Sequence, residues 1–260
     1  MPKSDALDPD KIKANLNTKR IGRKILVYSS TSSTNDIAAE YARNKKNDGL
    51  AIFAEEQAAG RGRTGAKWLS GQADSIICSI VLTKAKLNAE LLSLACAVAV
   101  ADAIGKPAKI KWPNDIILNG KKVAGILLES KAKDDTTVYI IGIGINCHQQ
   151  ESDFPTELKQ IATSIDIESQ TVCDRISLAK RLLTSIEHWL EIAEQIPEKV
   201  IERWNKLSTQ LGHRVMLLYN RRKFTGTCIG IDPQKGLVLQ LDTGGVRMFD
   251  AVHTTIAKHH

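Results

Sequence analysis

The sequence contains no hydrophobic run that approaches the ~20 residues needed to cross a bilayer, although 43% of its 260 residues are hydrophobic. The N-terminus from Met1 to Asp5 also lacks the continuous apolar segment of a secretory signal. These absences exclude an integral membrane helix and a signal peptide of the usual kind. We therefore expect no membrane partner and a cytoplasmic location.

Cysteine is scarce, and its pattern is not that of a disulfide scaffold or a zinc site. The chain has five cysteines, an odd number, and none of them form a Cys-x-x-Cys pair. Most lie in apolar runs, which favours reduced thiols in the core. These residues are Cys78, Cys96, Cys147, Cys173 and Cys228.

Long basic runs are also absent, although the formal net charge is +7. A basic chain attracts phosphate, so nucleic acid is one candidate partner. The positive residues occur instead as scattered pairs, such as Lys45-Lys46 and Arg221-Arg222, without an aromatic-interleaved stripe. This spread favours solvated surfaces over a nucleic-acid surface, and an anionic small ligand explains the clusters equally well.

The segment Glu55–Trp68 combines three glycines with two arginines in a single loop. It contains the letters Gly-x-Gly-x-x-Gly of a dinucleotide fingerprint, which requires a strand before it and a helix opening inside it. Leu50–Glu55 is a predicted strand, but no apolar helical period follows Trp68. We therefore reject the dinucleotide interpretation and predict an anion-holding loop. For these residues alone, a surface loop with solvated arginines is an equal alternative.

Two further groups of polar residues lie at predicted element ends. Ser33, Thr34 and Asn35 begin a predicted helix, where capping needs only one such residue, so the others could contact a polar ligand. In Lys111–Asp115, the proline ends a short strand and places a cation, an amide and an acid together. That combination suits nucleotide or magnesium chemistry, whereas simple helix capping is the alternative for the first group.

A predicted hairpin and a glycine-containing strand complete the pattern. Asn119-Gly120 is a strong hairpin signal, and Lys122 follows the turn. The alternative for Lys122 is a lysine that protects a strand edge. In the predicted strand Val138–Asn146, Gly142 and Gly144 leave a strip without side chains, over which a flat ligand or another backbone could pass.

The periodicity predicts an α/β unit followed by a small all-β unit. Apolar patterns predict helices over Leu87–Ile104, Ile176–Ile192 and Pro197–Leu207. Beyond Gly212 the pattern changes to four short strands separated by turns. We divide the chain into an N-terminal extension, 1–22, a catalytic domain, 23–211, and a C-terminal β-domain, 212–258.

Four motifs together resemble those of biotin protein ligases, over roughly residues 25 to 250. They are Ser33–Asn35, Gln57–Gly65, Lys111–Asp115 with Lys122–Leu127, and Gly142–Asn146. The resemblance implies an α/β (α+β) fold related to class II aminoacyl-tRNA synthetases, with a mixed sheet flanked by helices and a C-terminal SH3-like β-barrel. It also implies that biotin and ATP, with Mg²⁺, form biotinyl-5′-AMP and pyrophosphate. Biotin then passes to a lysine of the biotin carboxyl carrier domain of acetyl-CoA carboxylase.

The resemblance also assigns the site residues. It implies that biotin is bound by Ser33, Thr34, Asn35, Gln57, Arg61, Gly62, Arg63 and Lys122. The nucleotide is expected at Arg61, Arg63, Trp68, Lys111, Asp115 and Asn146. Arg63 and Lys122 are the expected catalytic residues, because cations stabilise the charge that develops at phosphorus and at the oxyanion. No protein ligand is assigned to Mg²⁺, which we expect to arrive with ATP.

Some features depart from the family pattern or leave alternatives. After Trp68 the family commonly has Ser-Pro and Asn-Leu, whereas this chain has Ser70–Ser75. The resemblance therefore does not define the backbone path by which the glycine-arginine loop leads into the next strand. Relatives that are also repressors carry a winged-helix domain before the first motif, whereas 32 residues precede Ser33, so we expect no specific DNA binding. A lipoate or octanoate transferase and a nucleic-acid-binding module are the rival functions. A monomer and a homodimer are both compatible with the sequence.

Overall fold

A seven-stranded mixed sheet forms the larger part of the protein, whose computed structural model describes residues 5–133 and 136–256. Its spatial order is β1-β2-β3-β7-β6-β5-β4. Strands β1 and β2 are parallel, and every other neighbouring pair is antiparallel. The strands are β1 (Ile25–Tyr28), β2 (Ala51–Ala54), β3 (Ser75–Leu82), β4 (Lys109–Lys111), β5 (Asp115–Leu118), β6 (Lys121–Lys133) and β7 (Thr136–Asn146).

Helices cover both faces of this sheet. On one face, Ala38 of α2 and Ala42, the C-cap residue of that helix, are buried in a small cluster with Ile52 and Val81. On the other face α3 is buried almost all round, against α5 and α6. This explains the continuous apolar runs of the central strands, which have no solvent face. The helices are α1 (Pro9–Lys13), α2 (Thr34–Tyr41), α3 (Ala89–Ile104), α4 (Ile165–Ser169), α5 (Arg175–Gln195) and α6 (Pro197–Leu207).

Local signals set the ends of α3. The Asn88 side chain accepts a hydrogen bond from the Leu91 backbone N–H at 2.9 Å, which caps the N-terminus. Gly105 follows the last turn with φ +93°, a conformation that residues with a Cβ rarely adopt. The N-terminus of α3 therefore fixes where the preceding loop ends, and its C-terminus fixes where the connection to β4 begins.

The segment before β1 packs on the main core. Ile12 and Ile21 are fully buried there. The Glu187 carboxylate of α5 accepts hydrogen bonds from three consecutive backbone N–H groups, those of Lys19, Arg20 and Ile21, at 2.5 to 2.7 Å. The described part of the predicted extension, residues 5–22, therefore packs on the predicted catalytic domain, and the division between them stays a prediction.

A five-stranded antiparallel sheet forms the C-terminal part, in the order β11-β10-β9-β8-β12. Within residues 5–133 and 136–256 no ladder joins β11 to β12, so this sheet is open where a closed SH3-like barrel was expected. The boundary at residue 212 stays a prediction. The strands are β8 (Arg214–Tyr219), β9 (Arg222–Asp232), β10 (Gly236–Leu241), β11 (Val246–Phe249) and β12 (Thr254–Ile256).

The aromatic side chains of this sheet pack on one another. The rings of Phe224 and Phe249 have centroids 5.2 Å apart, and Tyr219 contacts both. The Arg247 guanidinium lies 4.4 Å from the Phe224 centroid. Phe249 is fully buried, and Tyr219 and Phe224 are partly buried, so these rings pack mainly on one another within the C-terminal part.

Most elements predicted from periodicity are confirmed, including α6 with the predicted bounds. Two short elements were missed, α4 and β12, because a few residues carry no measurable period. The rejection of the dinucleotide interpretation is also confirmed, because the fingerprint Gly60–Gly65 contains a 3₁₀ turn, Arg63–Gly65, in place of the opening of an α-helix, whereas anion binding by this loop stays a prediction. In the part of the chain that the structure describes, no helix has the length and hydropathy to cross a membrane.

Candidate active site

A cavity of about 580 Å³ lies between the main sheet, the glycine-arginine loop and β12. It brings together motifs that are far apart in the sequence, as the family resemblance implies. The lining includes all but one of the predicted site residues, namely Ser33, Thr34, Asn35, Gln57, Arg61, Gly62, Arg63, Trp68, Lys111, Asp115 and Lys122. Asn146 does not line this cavity.

The cavity is strongly cationic. Five lysine and arginine side chains line it against a single carboxylate among the described residues, that of Asp115. The cations are Arg61, Arg63, Lys67, Lys111 and Lys122. A partly enclosed space with this charge attracts anions, and the low dielectric of its walls strengthens the attraction.

Lys122 is held in place by its backbone and its side chain. Its N–H donates to Ile161 O at 2.8 Å, and its carbonyl accepts from Thr163 N at 2.9 Å. Its Nζ lies 2.5 Å from Asp115 Oδ1. The lysine therefore faces the cavity from a bridged strand, which disfavours the alternative that it only protects a sheet edge.

A chain of polar contacts forms one end of the cavity. Gln57 Oε1 accepts from the Thr34 N–H at 2.8 Å, and its distance to Thr34 Oγ1 is 3.2 Å. The Ser79 hydroxyl lies 2.7 Å from Thr34 Oγ1 and 2.6 Å from Asn35 Oδ1. Asn35 Nδ2 donates to Glu129 Oε2 at 2.8 Å. These contacts fix donors and acceptors in orientations that could recognise a neutral polar group.

Ser33 adds an unused hydroxyl beside this chain. It is the N-cap residue of α2, yet among the described residues its side chain makes no capping hydrogen bond. Ser33 is also buried, with 3% of its surface exposed. The interpretation that the hydroxyl run only caps the helix is therefore disfavoured, because the N-cap side chain does not cap it.

Arg61 ties the loop to α2. Its guanidinium donates to both Asp36 oxygens, at 2.9 and 2.6 Å, and lies 3.7 Å from Glu129. The hydrogen bond from Arg61 holds the pKa of Asp36 below its usual range. Sequence reasoning missed Asp36 and Glu129. Asp36 directly follows the first motif, but Glu129 gave no local signal.

Arg63 ties the same loop to the C-terminal sheet. Its Nη2 donates to the Ala251 and Thr254 carbonyls, and its Nη1 lies 3.4 Å from Asn114 Oδ1. The Ala251 N–H in turn donates to Glu90 Oε1 at 2.8 Å. Burial lowers the pKa of Arg63 and raises that of Glu90. Arg63 thus joins the loop to Ala251 and Thr254, and Ala251 in turn joins this segment to α3 through Glu90.

The glycine strip holds a side chain of the protein itself. Gly125 of β6 and Gly144 of β7 are paired in register. The Trp68 indole lies over them, so that a Cβ on Gly144 would be 2.4 Å from indole Cε2. A Cβ on Gly142 would be 2.5 Å from Asn35 Oδ1. The expected passage for a ligand or backbone is therefore filled by Trp68 and Asn35.

Trp68 also connects the strip to the catalytic candidates. Its ring centroid is 5.8 Å from Lys122 Nζ, within the range of a cation–π contact. Its indole N–H is buried without a hydrogen-bond partner among the described residues. A buried donor of this kind is costly, so it marks a position where a ligand acceptor would be stabilising.

Asn146 lies outside the cavity lining, at the end of β7. Its Nδ2 donates to Thr163 O at 2.9 Å, and its Oδ1 lies 3.4 Å from Gln149 Nε2. Thr163 is the residue whose N–H bonds to Lys122 O. Asn146 therefore supports the segment that braces Lys122, and its contact with a nucleotide stays a prediction.

The chain is similar to known ligases over nearly its full length. A family described as the biotin/lipoate A/B protein ligase family matches residues 27–146. The bifunctional ligase/repressor BirA of Bacillus subtilis is 33% identical over 259 residues, which cover 96% of this chain and 79% of that protein. The biotin--[acetyl-CoA-carboxylase] ligase of Mycobacterium tuberculosis is 31% identical over 274 residues, which cover 97% of this chain and 99% of that protein.

A solved structure agrees with these sequence matches. The biotin protein ligase from Aquifex aeolicus in complex with biotin and ATP superposes with a TM-score of 0.79 at 28% identity. The superposition covers 91% of this chain and 100% of that one. The mixed sheet with its separate antiparallel sheet is therefore the fold of that ligase.

The substitution Gly144→Ala tests whether the glycine slot holds Trp68. The added methyl group would overlap the indole, so we expect Trp68 to leave the slot or the fold to lose about 1–3 kcal/mol of stability. Acrylamide quenching of tryptophan fluorescence, followed by thermal unfolding, measures both effects. Gly230→Ala is the matched control, because a Cβ there meets nothing within 4 Å. Unchanged quenching and stability in Gly144→Ala would show that the slot does not position Trp68.

Proposed function

This chain belongs to the biotin/lipoate A/B protein ligase family as a biotin ligase, and we propose that it acts in two steps through biotinyl-5′-AMP. The observation that carries the two-step proposal is the cavity in which five cations face one carboxylate, beside the polar contacts of Gln57. Both substrates of such a reaction are anions, whereas the ureido ring of biotin is neutral and polar.

In the first step, a carboxylate oxygen of biotin attacks the α-phosphorus of ATP. A new P–O bond forms, the bond to the β-phosphate breaks, and pyrophosphate leaves. This step brings two anions together, which is unfavourable without neutralising cations. Fixed cations lower the barrier because they stabilise the concentrated charge of the transition state more than the charges of the separate substrates. Lys122 and Arg63 are the proposed cations, because both side chains border the cavity and are held by hydrogen bonds or ion pairs.

In the second step, a neutral lysine amine of the acceptor protein attacks the acyl carbonyl of the adenylate. An amide bond forms, AMP leaves, and the amine releases a proton. The carbonyl oxygen becomes an oxyanion in the tetrahedral intermediate, and the same two cations are available to stabilise it. The proposed acceptor is the biotin carboxyl carrier domain of acetyl-CoA carboxylase.

The polar end of the cavity is proposed to hold the biotin ring. Ser33, Thr34, Asn35 and Gln57 supply hydroxyl and amide groups whose orientations are set by the contacts with Ser79 and Glu129. A site built from fixed donors and acceptors rejects ligands that lack matching groups, because its own groups would remain unpaired. This favours biotin over lipoate, which has no ureido group.

The nucleotide is proposed to lie beside Trp68, Lys111 and Asp115. Lys111 and Asp115 border the same cavity as Lys122. Magnesium would supply charge neutralisation of the triphosphate. We expect this ion to be held mainly by phosphate and water, and Asp115 is the carboxylate that borders the same cavity. The expectation that the chain does not bind specific DNA stays a prediction.

Biotin-dependent exchange of pyrophosphate into ATP tests the first step. We expect exchange with biotin and Mg²⁺, and no exchange when lipoate replaces biotin. Lys122→Ala should reduce the exchange rate about a hundred- to a thousand-fold, because one stabilising cation is removed. Exchange supported by lipoate but not by biotin would contradict the proposal.

Arg63→Ala tests whether the loop retains the adenylate. Arg63 joins the loop to the Ala251 and Thr254 carbonyls, so its loss should let biotinyl-5′-AMP escape before an acceptor arrives. Free adenylate released into solution is measured by chromatography under single-turnover conditions. Arg222→Ala, an exposed substitution in β9, is the control. Equal release rates in Arg63→Ala and wild type would refute the retaining role.

A further inference from the structure

We propose that Cys147 and Cys173 form a redox-active dithiol, which a peroxide converts into an intramolecular disulfide. The pair lies away from the cavity that holds the proposed ligase site. Cys147 directly follows β7, and Cys173 precedes the N-cap of α5. The inference does not depend on the proposed function, because it concerns only these thiols and their surroundings.

One residue brings the two cysteines together. The Asp166 N–H donates to Cys147 O at 3.0 Å. The Asp166 side chain accepts from the Cys173 N–H at 2.7 Å. The Cys147 Sγ lies 3.5 Å from Ile145 O, and its interaction with the Cys173 thiol contributes to the pKa shifts of both groups. A disulfide requires its two sulfur atoms to approach, and Asp166 holds the backbones of both cysteines by hydrogen bonds.

The two thiols differ in access to solvent. Cys147 is fully buried, whereas Cys173 is 9% exposed and lines a second cavity of about 870 Å³. The hydrogen bond from Cys147 lowers the pKa of Cys173, while burial raises the pKa of Cys147. Because the thiolate is the reactive form, Cys173 is the thiol that meets the oxidant and Cys147 is the thiol that resolves the product.

The other cysteines lack these features. Cys78, Cys96 and Cys228 are at most 1% exposed. Burial raises the pKa of each, for Cys96 to about 12. A thiol that is both buried and protonated reacts slowly with oxidants. They therefore serve as internal controls within the same chain.

The proposed reaction balances with hydrogen peroxide as the oxidant. The Cys173 thiolate attacks one peroxide oxygen, the O–O bond breaks, and the departing hydroxide takes a proton to become water. Cys173 is then a sulfenic acid. The Cys147 sulfur attacks the Cys173 sulfur, the S–O bond breaks, and the Cys147 proton leaves with the hydroxyl group as a second water. The two thiols are oxidised, and the peroxide is reduced.

The bond would form next to a residue that supports the ligase site. Cys147 follows Asn146, which holds the Thr163 carbonyl, and Thr163 bonds to the backbone of Lys122. Because Asp166 already holds both cysteines by hydrogen bonds, the disulfide replaces a non-covalent link by a covalent one in the same place.

Peptide mapping of the intact chain tests the proposal. The reduced protein is treated with hydrogen peroxide, alkylated under denaturing conditions, and digested without reductant. We expect a cross-linked pair of peptides carrying Cys147 and Cys173, with the mass of two hydrogens lost. In Cys147→Ser the sulfenic acid on Cys173 should persist and react with dimedone. In Cys173→Ser the oxidation of Cys147 should slow about tenfold or more, because the thiol that borders the second cavity and starts the reaction is removed. Cys228→Ser should retain the cross-link.

Two results would overturn the inference. One is full alkylation of both Cys147 and Cys173 after peroxide treatment, which would show that no disulfide forms. The other is loss of the Cys147 thiol at the same rate in Cys173→Ser as in wild type. Neither result bears on the ligase reaction, whose own failure would appear as absent pyrophosphate exchange.

Discussion

Repulsion among five cations around one cavity is the constraint on which the site depends. Like charges in a partly enclosed space are unfavourable unless each has a partner. The protein supplies a different partner for each of three cations. Arg61 has the Asp36 carboxylate, Arg63 has backbone carbonyls, and Lys122 has Asp115. These partners keep the charges in position without cancelling the net attraction for an anionic ligand.

The contacts that hold the glycine-arginine loop differ in strength. The Arg61–Asp36 pair is exposed, and exposed pairs contribute about 0–1 kcal/mol. Arg63 is half-buried, and each hydrogen bond of a charged group is worth about 1.5–3 kcal/mol. Trp68 adds the burial of a large aromatic surface over the glycine strip. The loop is therefore held mainly at Arg63 and Trp68, so its closure is coupled to the C-terminal sheet and to β7.

Most residues singled out from the sequence line one cavity, and they stood out because their motifs combine unusual residue types within a few positions. Gly142 and Gly144 stand out as an exception within a strand, whereas Lys122 is assigned a role only by the family resemblance, since a lysine after a hairpin turn commonly protects a sheet edge. The partners of these residues could not be found in this way. Glu129 contacts a residue 94 positions away, and Arg63 contacts carbonyls 188 and 191 positions away. Such contacts depend on how the sheets pack, and a carbonyl oxygen leaves no trace in the sequence. The same limit explains why the strip was expected to be open, since nothing local to Gly144 indicates that Trp68 covers it.

The central claim is that one cationic cavity holds biotin and ATP together and traps their product. A thermal unfolding scan of the full chain with biotin, with Mg²⁺-ATP and with both tests it most directly. A trapped adenylate binds only the folded chain, so the shift in unfolding temperature with both ligands should exceed the sum of the two separate shifts. A combined shift no larger than that of either ligand alone would contradict the account.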